Sequence, residues 1–276
     1  MSKKILKLLV VHTYMAMLTV PILFMIVWYF MTATFNSYTG SLSLDNFSFL
    51  FGPIESMGIK LPMIWPIVWN TLVYSFTIVI IEVLISVPAA YAFSRLDFKG
   101  KRNAMKFLFI MRSFPGVTLI IATFFILVKM NLVDTYLGII LVAITGSLPG
   151  HVYIMKGFFD EVPWDLEWAA MTDGCSRFRA FRKVILPAVK PGIGAIAVFS
   201  FLGAYGEWFL FKLLIFSDTR LIIGGYIAKL ITEENVIMDY GLISALGLFY
   251  TLPVILFYVF SQKIFMKVNI GGSKGV

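Results

Sequence analysis

The sequence predicts an all-α polytopic membrane protein of six transmembrane helices, with both termini in the cytoplasm. Three observations carry that prediction. Of the 276 residues, 59% are hydrophobic and 14% charged, whereas soluble domains run at roughly 45–50% apolar and about 25% charged. The apolar residues gather into six stretches, 8–30, 67–93, 107–128, 135–155, 191–216 and 241–262. Each is long enough to cross a ~30 Å hydrocarbon layer as a helix, which takes about 20 residues. Finally, the basic residues are unevenly shared between the connecting segments. With the N-terminus inside, the inner segments hold seventeen Lys and Arg and the outer side, counting the boundary residues Lys129 and Lys212, five: Lys60, Lys129, Lys212, Arg220 and Lys229. That asymmetry sets the orientation by the positive-inside rule.

The mean hydropathy of +0.89 excludes a disordered chain and a soluble multidomain enzyme. The net charge of +8 reads as topology, not as a nucleic-acid footprint, which needs basic residues clustered on a folded soluble face. The first stretch follows Lys3, Lys4 and Lys7 as a signal peptide would, but it continues through Trp28, Tyr29 and Phe30. A signal core is about 7–15 residues long and ends in small residues, so an uncleaved first span is expected. The single cysteine, Cys175, excludes an intrachain disulfide and a cysteine metal cluster.

Each span contains or begins with a proline: Pro21, Pro88, Pro115, Pro149, Pro191 and Pro253. Pro191 suits a first helical turn, where its missing N–H costs nothing. The other five favour kinks. Residues 31–66 form an outer loop with Trp65 and Trp69 at aromatic-belt positions, 129–134 a tight outer turn, and 217–240 a second outer segment. No internal repeat or low-complexity tract is present.

Charges inside spans are costly, about 2.5–3.5 kcal/mol at mid-bilayer, and so face protein or water. Glu82, Arg112, Glu207 and Lys212 are the instances. Glu82, with Glu207 beside Tyr205 and Trp208, fits either a polar solute path or packing between helices. A carboxylate next to aromatic faces is the equipment for stacking on sugar rings and bonding their hydroxyls. No Asp/Glu/His relay of a proton-coupled carrier accompanies these charges, and neither HExxH nor GxSxG occurs.

The inner segment 156–190 is the one long enough to fold by itself. Pro163 suits a helix start, and Asp165 and Glu167 favour its first turn through the helix dipole. Gly174 can end that helix in a left-handed conformation. Ser176 can cap a second, basic helix ending before Pro187. The expected product is a helix–glycine–helix element that docks a soluble partner.

This element resembles the signature of permease subunits of bacterial and archaeal ABC importers, Glu-Ala-Ala, three residues, Gly, nine residues, Ile-x-Leu-Pro. Here Ala169-Ala170 precede three residues, Gly174, nine residues and Val184-Ile185-Leu186-Pro187, with Asp173 before the glycine. The chain departs at the signature Glu, having Trp168 there and Glu167 one position earlier. Tyr91-Ala-Phe-Ser-Arg95, Asn70-Thr71-Leu72 and the terminal Gly271-Gly-Ser-Lys-Gly275 are similar to segments of the smaller maltose-type carbohydrate permease. In the fifth span the family's Trp-Asn-Glu/Asp-Phe appears as Tyr205-Gly206-Glu207-Trp208, without the Asn.

The resemblance implies one permease domain over 1–276 with type I importer architecture in the prokaryotic cytoplasmic membrane. It implies a second permease (a heterodimer), two copies of a cytoplasmic ATPase and an extracytoplasmic solute-binding protein. It also implies a sugar or oligosaccharide cargo, with an amino-acid or polyamine importer as the alternative and an ATP-independent secondary carrier further off. This chain has no Gly-x-x-x-x-Gly-Lys-Ser/Thr, so ATP and Mg belong on the partner ATPase and the chain itself is non-catalytic. The expected ATPase-coupling residues are Trp164, Trp168 and Met171 as apolar anchors, Glu167 and Asp173 at the polar rim, Ala169, Ala170 and Gly174 in the turn, and Lys274 in the tail.

Overall fold

The computed structural model describes residues 3–36, 41–56, 59–114, 116–232 and 239–268. Pro115 and Lys274 lie outside them. Among the described residues four helices are long and apolar enough to cross a membrane: α1 (Lys3–Thr34), α2 (Ile64–Arg95), α5 (Tyr136–Glu161) and α12 (Tyr240–Val268). Between α2 and α5 run α3 (Lys101–Arg112) and α4 (Gly116–Lys129). After α5 come α6 (Trp164–Thr172), α7 (Arg177–Ala180), α8 (Leu186–Ala188), α9 (Lys190–Tyr205), α10 (Phe209–Leu214) and α11 (Ile223–Thr232).

Two expected spans are not single helices. In place of one helix over 107–128, α3 and α4 are bent by 99° at their junction. Phe114 precedes a proline, and a pre-proline residue is held out of the α region by the ring. In place of one helix over 191–216, α9 stops at Tyr205 and α10 begins at Phe209. Glu207, one position before the Trp208 N-cap, accepts the Leu210 N–H on its Oε1 at 3.0 Å. The helices run unbroken through Pro21, Pro88, Pro149 and Pro253, so of the two breaks the one between α3 and α4 falls beside an expected kink, at Pro115, and the one after Tyr205 does not. The second basic helix also overruns its expected end: α7 passes through a π turn, Phe181–Ile185, into α8, which contains Pro187. A proline interrupts the helical ladder in any case, and a wider turn in front of it absorbs the lost bond.

By its contacts the chain forms two units, residues 1–65 with 226–253, and residues 66–225 with 254–276. In the first, the 31–66 segment is more than loop. β1 (Phe35–Asn36) pairs antiparallel with β2 (Ser41–Leu42), and β3 (Ile54–Ser56) with β4 (Ile59–Leu61). A 3-10 turn, Asp45–Leu50, carries Phe49, whose ring meets Phe249 edge-on at 5.8 Å. Trp65 meets the same ring at 6.1 Å and donates Nε1–H to the Leu50 carbonyl.

In the second unit the core joins α2, α5 and α9. Val87, Ala90 and Tyr91, then Val152, Met155 and Phe159, then Val189 and Ile196 are buried together. The three- and four-residue spacing places each set on one helix face. Gly192 admits Phe158, whose ring would stand 2.5 Å from a β-carbon there. Such close approach through small residues is how helices pack where lipid removes the hydrophobic drive between them. At the far end of α2, Asn70 Nδ2 donates to the Thr219 and Leu221 carbonyls and Thr71 Oγ1 accepts the Ile223 N–H.

The tight turn before α5 is built on Asn131 and Asp134, both with positive φ, and Thr135 caps α5 through the Gly138 N–H. Asp134 accepts from the backbone N–H groups of Phe216 and Ser217, from Ser217 Oγ and from Arg220. Ser217 Oγ–H, with the backbone donors and the Arg220 charge, holds the Asp134 carboxyl below the usual aspartate range. A depressed carboxyl stabilises the fold above its unfolded pKa and loses that contribution as pH falls through its folded value. Thermal unfolding followed from pH 6 to pH 3 is expected to show a Tm gap between wild type and Asp134→Asn that closes toward the acid end. A gap independent of pH would contradict this.

Candidate functional site

The expected helix–glycine–helix element forms as a turn closed by local chemistry. Pro163 stands one position before α6, and Asp165 and Glu167 occupy its first turn. At its end Gly174 has φ +86°, a region that costs a side-chain-bearing residue about 1–2 kcal/mol. The Gly174 N–H bonds the Met171 carbonyl at 3.1 Å and the Cys175 N–H bonds that of Ala170 at 3.0 Å. This pair of bonds is a Schellman closure. Ser176 Oγ then accepts the Arg179 N–H and opens α7.

The faces of α6 differ sharply. Trp168 is 55% exposed, and Trp164, Leu166 and Met171 also lie open to solvent. The Trp164 and Trp168 rings stand 5.8 Å apart, forming an apolar ridge. Ala169 and Asp173 are exposed and Ala170 is buried.

Glu167 is the correction. Expected at a polar rim, it is fully buried and points back into the chain. Its Oε1 accepts from Tyr91 Oη at 2.6 Å and from Arg177 Nε at 3.4 Å, and its Oε2 lies 3.8 Å from Arg95 Nε. Arg95, also buried, donates Nη2–H to the Phe159 carbonyl at 2.7 Å and to that of Val162, and its guanidinium lies 4.4 Å from the centre of the Trp164 ring. The C-terminal ends of α2 and α5 are thereby tied to α6. Ser94 Oγ reinforces the joint by donating to Asp160 at 2.6 Å.

Tyr91, Arg95 and Arg177 were given no role by sequence reasoning. The available signal was the pair Tyr91 and Arg95, four apart on one helix face at a span's end, with an unassigned acid in the following loop.

The residues expected along a solute path occupy different settings. Tyr205 is buried and stacked against Phe201, and Trp208 is half-exposed. Glu207 is half-buried and accepts the Leu210 N–H in the first turn of α10. Glu82 is fully buried between helices, 2.8 Å from His151 Nδ1 and hydrogen-bonded by the hydroxyls of Ser147 and Ser200. Four polar side chains from α2, α5 and α9 thus satisfy one another within the bundle, as a buried carboxylate requires.

The fold is that of an ABC importer permease. A bacterial ABC transporter involved in the import of the acidic polysaccharide alginate matches with a TM-score of 0.79 at 18% identity, covering 95% of this chain and 98% of that chain. The MetNI methionine ABC transporter, in an inward facing conformation, matches with a TM-score of 0.60 at 19% identity, covering 76% of this chain and 99% of that one. Family membership follows from the sequence. The family described as binding-protein-dependent transport system inner membrane component matches residues 82–267, and this chain belongs to it, as a multi-pass membrane protein. The trehalose transport system permease protein SugB of Mycobacterium tuberculosis is 33% identical over 88% of this chain and 83% of its own. The maltodextrin transport system permease protein MdxG of Bacillus subtilis is 30% identical over 86% and 83%.

Breaking the Arg95–Glu167 joint from one side strands a buried charge, a loss of about 3–5 kcal/mol. Arg95→Met is therefore expected to lower the Tm of the purified permease strongly, and Arg95→Met with Glu167→Gln to recover part of the loss. Tyr91→Phe, which removes one donor to the carboxylate, costs about 1–3 kcal/mol. Differential scanning fluorimetry on the four proteins checks the order.

Proposed function

We propose that this chain is the smaller permease of an ATP-driven, binding-protein-dependent importer of a sugar or oligosaccharide, working by alternating access. The observation that carries the coupling mechanism is the two-sided character of α6. Its exposed ridge of Trp164, Trp168 and Met171 offers buried-anchor chemistry to a partner, while its inner face is locked to α2 and α5 through Glu167. Aromatic anchors entering a desolvated pocket dominate such interfaces. A helix gripped outside and bolted inside transmits a displacement instead of absorbing it.

In this reading the chain makes six crossings, the bent pairs α3–α4 and Arg177–Ala188 with α9 each counting as part of one. Both termini and the 156–190 coupling loop lie in the cytoplasm of a prokaryote. A second permease completes a heterodimer, and two ATPase copies bind the nucleotide and Mg and perform the hydrolysis. This chain is non-catalytic. The extracytoplasmic face receives a solute-binding protein at 31–66 and 217–240, and the tail bearing Lys274 contacts the ATPase in its closed state. The carbohydrate assignment is supported by the names of the relatives, which carry trehalose and maltodextrin.

The test is reconstitution of the permease pair with its ATPase and binding protein in liposomes. ATP-dependent uptake of a labelled oligosaccharide is expected, and uptake of an amino acid or polyamine in its place would overturn the cargo assignment. Trp168→Ala is expected to weaken ATPase co-purification by at least about 30-fold, the equivalent of a 2 kcal/mol anchor. Gly174→Asp is expected to cut transport while the permease still folds. Full-speed transport without nucleotide would defeat the reading.

A further inference from the structure

Arg112 ends α3 without a protein partner: among the described residues no hydrogen bond or ion pair reaches it. An arginine is always charged and carries five donors, and in a helix adjoining a membrane it needs an anion or water to meet them. The site around it is shaped. Met105, Leu108 and Arg112 recur at three- and four-residue spacing on the face of α3 that meets α5. With Phe109, and with Pro149 and Tyr153 of α5, they line a cavity of about 130 Å³. Gly150 makes room for the cation, since a β-carbon there would stand 2.5 Å from Arg112 Nη1.

The lining is mostly hydrocarbon and aromatic. Apolar cavities of about 150 Å³ stay dry and take up hydrocarbon, which points away from a sugar and toward an acyl chain. The rest of α3 agrees. Arg102 and Lys106 are exposed toward its start, as is Lys99 just before it, while Phe107, Phe109 and Ile110 are exposed apolar side chains along it. Basic side chains beside exposed aromatics are the composition of a helix at an anionic lipid surface. Basic pockets between transmembrane helices on the cytoplasmic side take anionic headgroups.

We propose that the α3–α5 pocket binds an anionic glycerophospholipid of the cytoplasmic leaflet. Its phosphate pairs with Arg112, whose fork suits a bidentate phosphate contact, and a segment of its acyl chain fills the space between Leu108, Phe109 and Pro149. The leaflet rests on the orientation proposed above; the pocket and its chemistry do not.

Native mass spectrometry of the detergent-purified permease–ATPase complex, equilibrated with phosphatidylglycerol or phosphatidylcholine, reads this without solute or ATP, so it fails independently of the transport assignment. Wild type is expected to retain phosphatidylglycerol over phosphatidylcholine, Arg112→Gln to lose that preference by at least fivefold, and Lys106→Gln to change it less. Equal retention by wild type and Arg112→Gln overturns the proposal. A photoactivatable phosphatidylglycerol on the wild-type complex gives a readout that no variant's folding can obscure. Crosslinks in 105–112 and 149–153 support the pocket. Crosslinks elsewhere alone, or capture of Arg112 by an acidic residue of the second permease, overturn it.

Discussion

The architecture turns on one carboxylate. Glu167 is fully buried and held by Tyr91 at 2.6 Å, with Arg95 and Arg177 supplying positive charge. The needs of a buried carboxylate are opposite charge and hydrogen-bond donors: Oε1 has both, while Oε2 has the Arg95 charge 3.8 Å away without a hydrogen bond. Meeting them demands that the end of α2, the end of α5 and the start of α6 be brought together. Arg95 enforces this doubly, since its other nitrogen caps the Phe159 and Val162 carbonyls at the end of α5. α6 is therefore tied to the ends of two long helices, α2 and α5.

The rest of the molecule sorts polar groups by the same rule. Glu82, expensive in a membrane, is enclosed by Ser147, His151 and Ser200 on two neighbouring helices. Asp134 meets four donors in the turn before α5. Glu207 spends an oxygen on the first turn of α10. Arg112, by contrast, stands exposed over Gly150. Of the charges inside the expected spans, Glu82 and Glu207 find donors within the chain, whereas Arg112 and Lys212 are exposed.

Apolar side chains are exposed in two settings with different meanings. The most apolar part of α1 has none of its residues buried, as a helix in hydrocarbon needs no protein cover. The ridge on α6 is short, beside Asp165 and Asp173, and rests on a polar interior joint. A local patch of large apolar residues rimmed by charge is the mark of an interaction surface.

The sequence by itself determined what depends on near neighbours. Hydropathy over some twenty residues located the four long helices, and Gly174 and Ser176 specified the turn between α6 and α7, because a Schellman closure and a cap involve residues within five of one another. The same local reasoning missed the breaks inside the third and fifth expected spans, before Gly116 and after Tyr205, which fall within otherwise continuous apolar runs. Only the tertiary structure decided where Glu167 points. Its partner Tyr91 is 76 positions away, and a lone acid in a helix's first turn reads as solvated until another helix end arrives beside it. The settings of Glu82 and Arg112 were likewise decided by which faces of α2, α3, α5 and α9 meet. Helix faces in a bilayer are nearly uniform in hydropathy, so no periodicity in the sequence distinguishes the face toward protein from the face toward lipid.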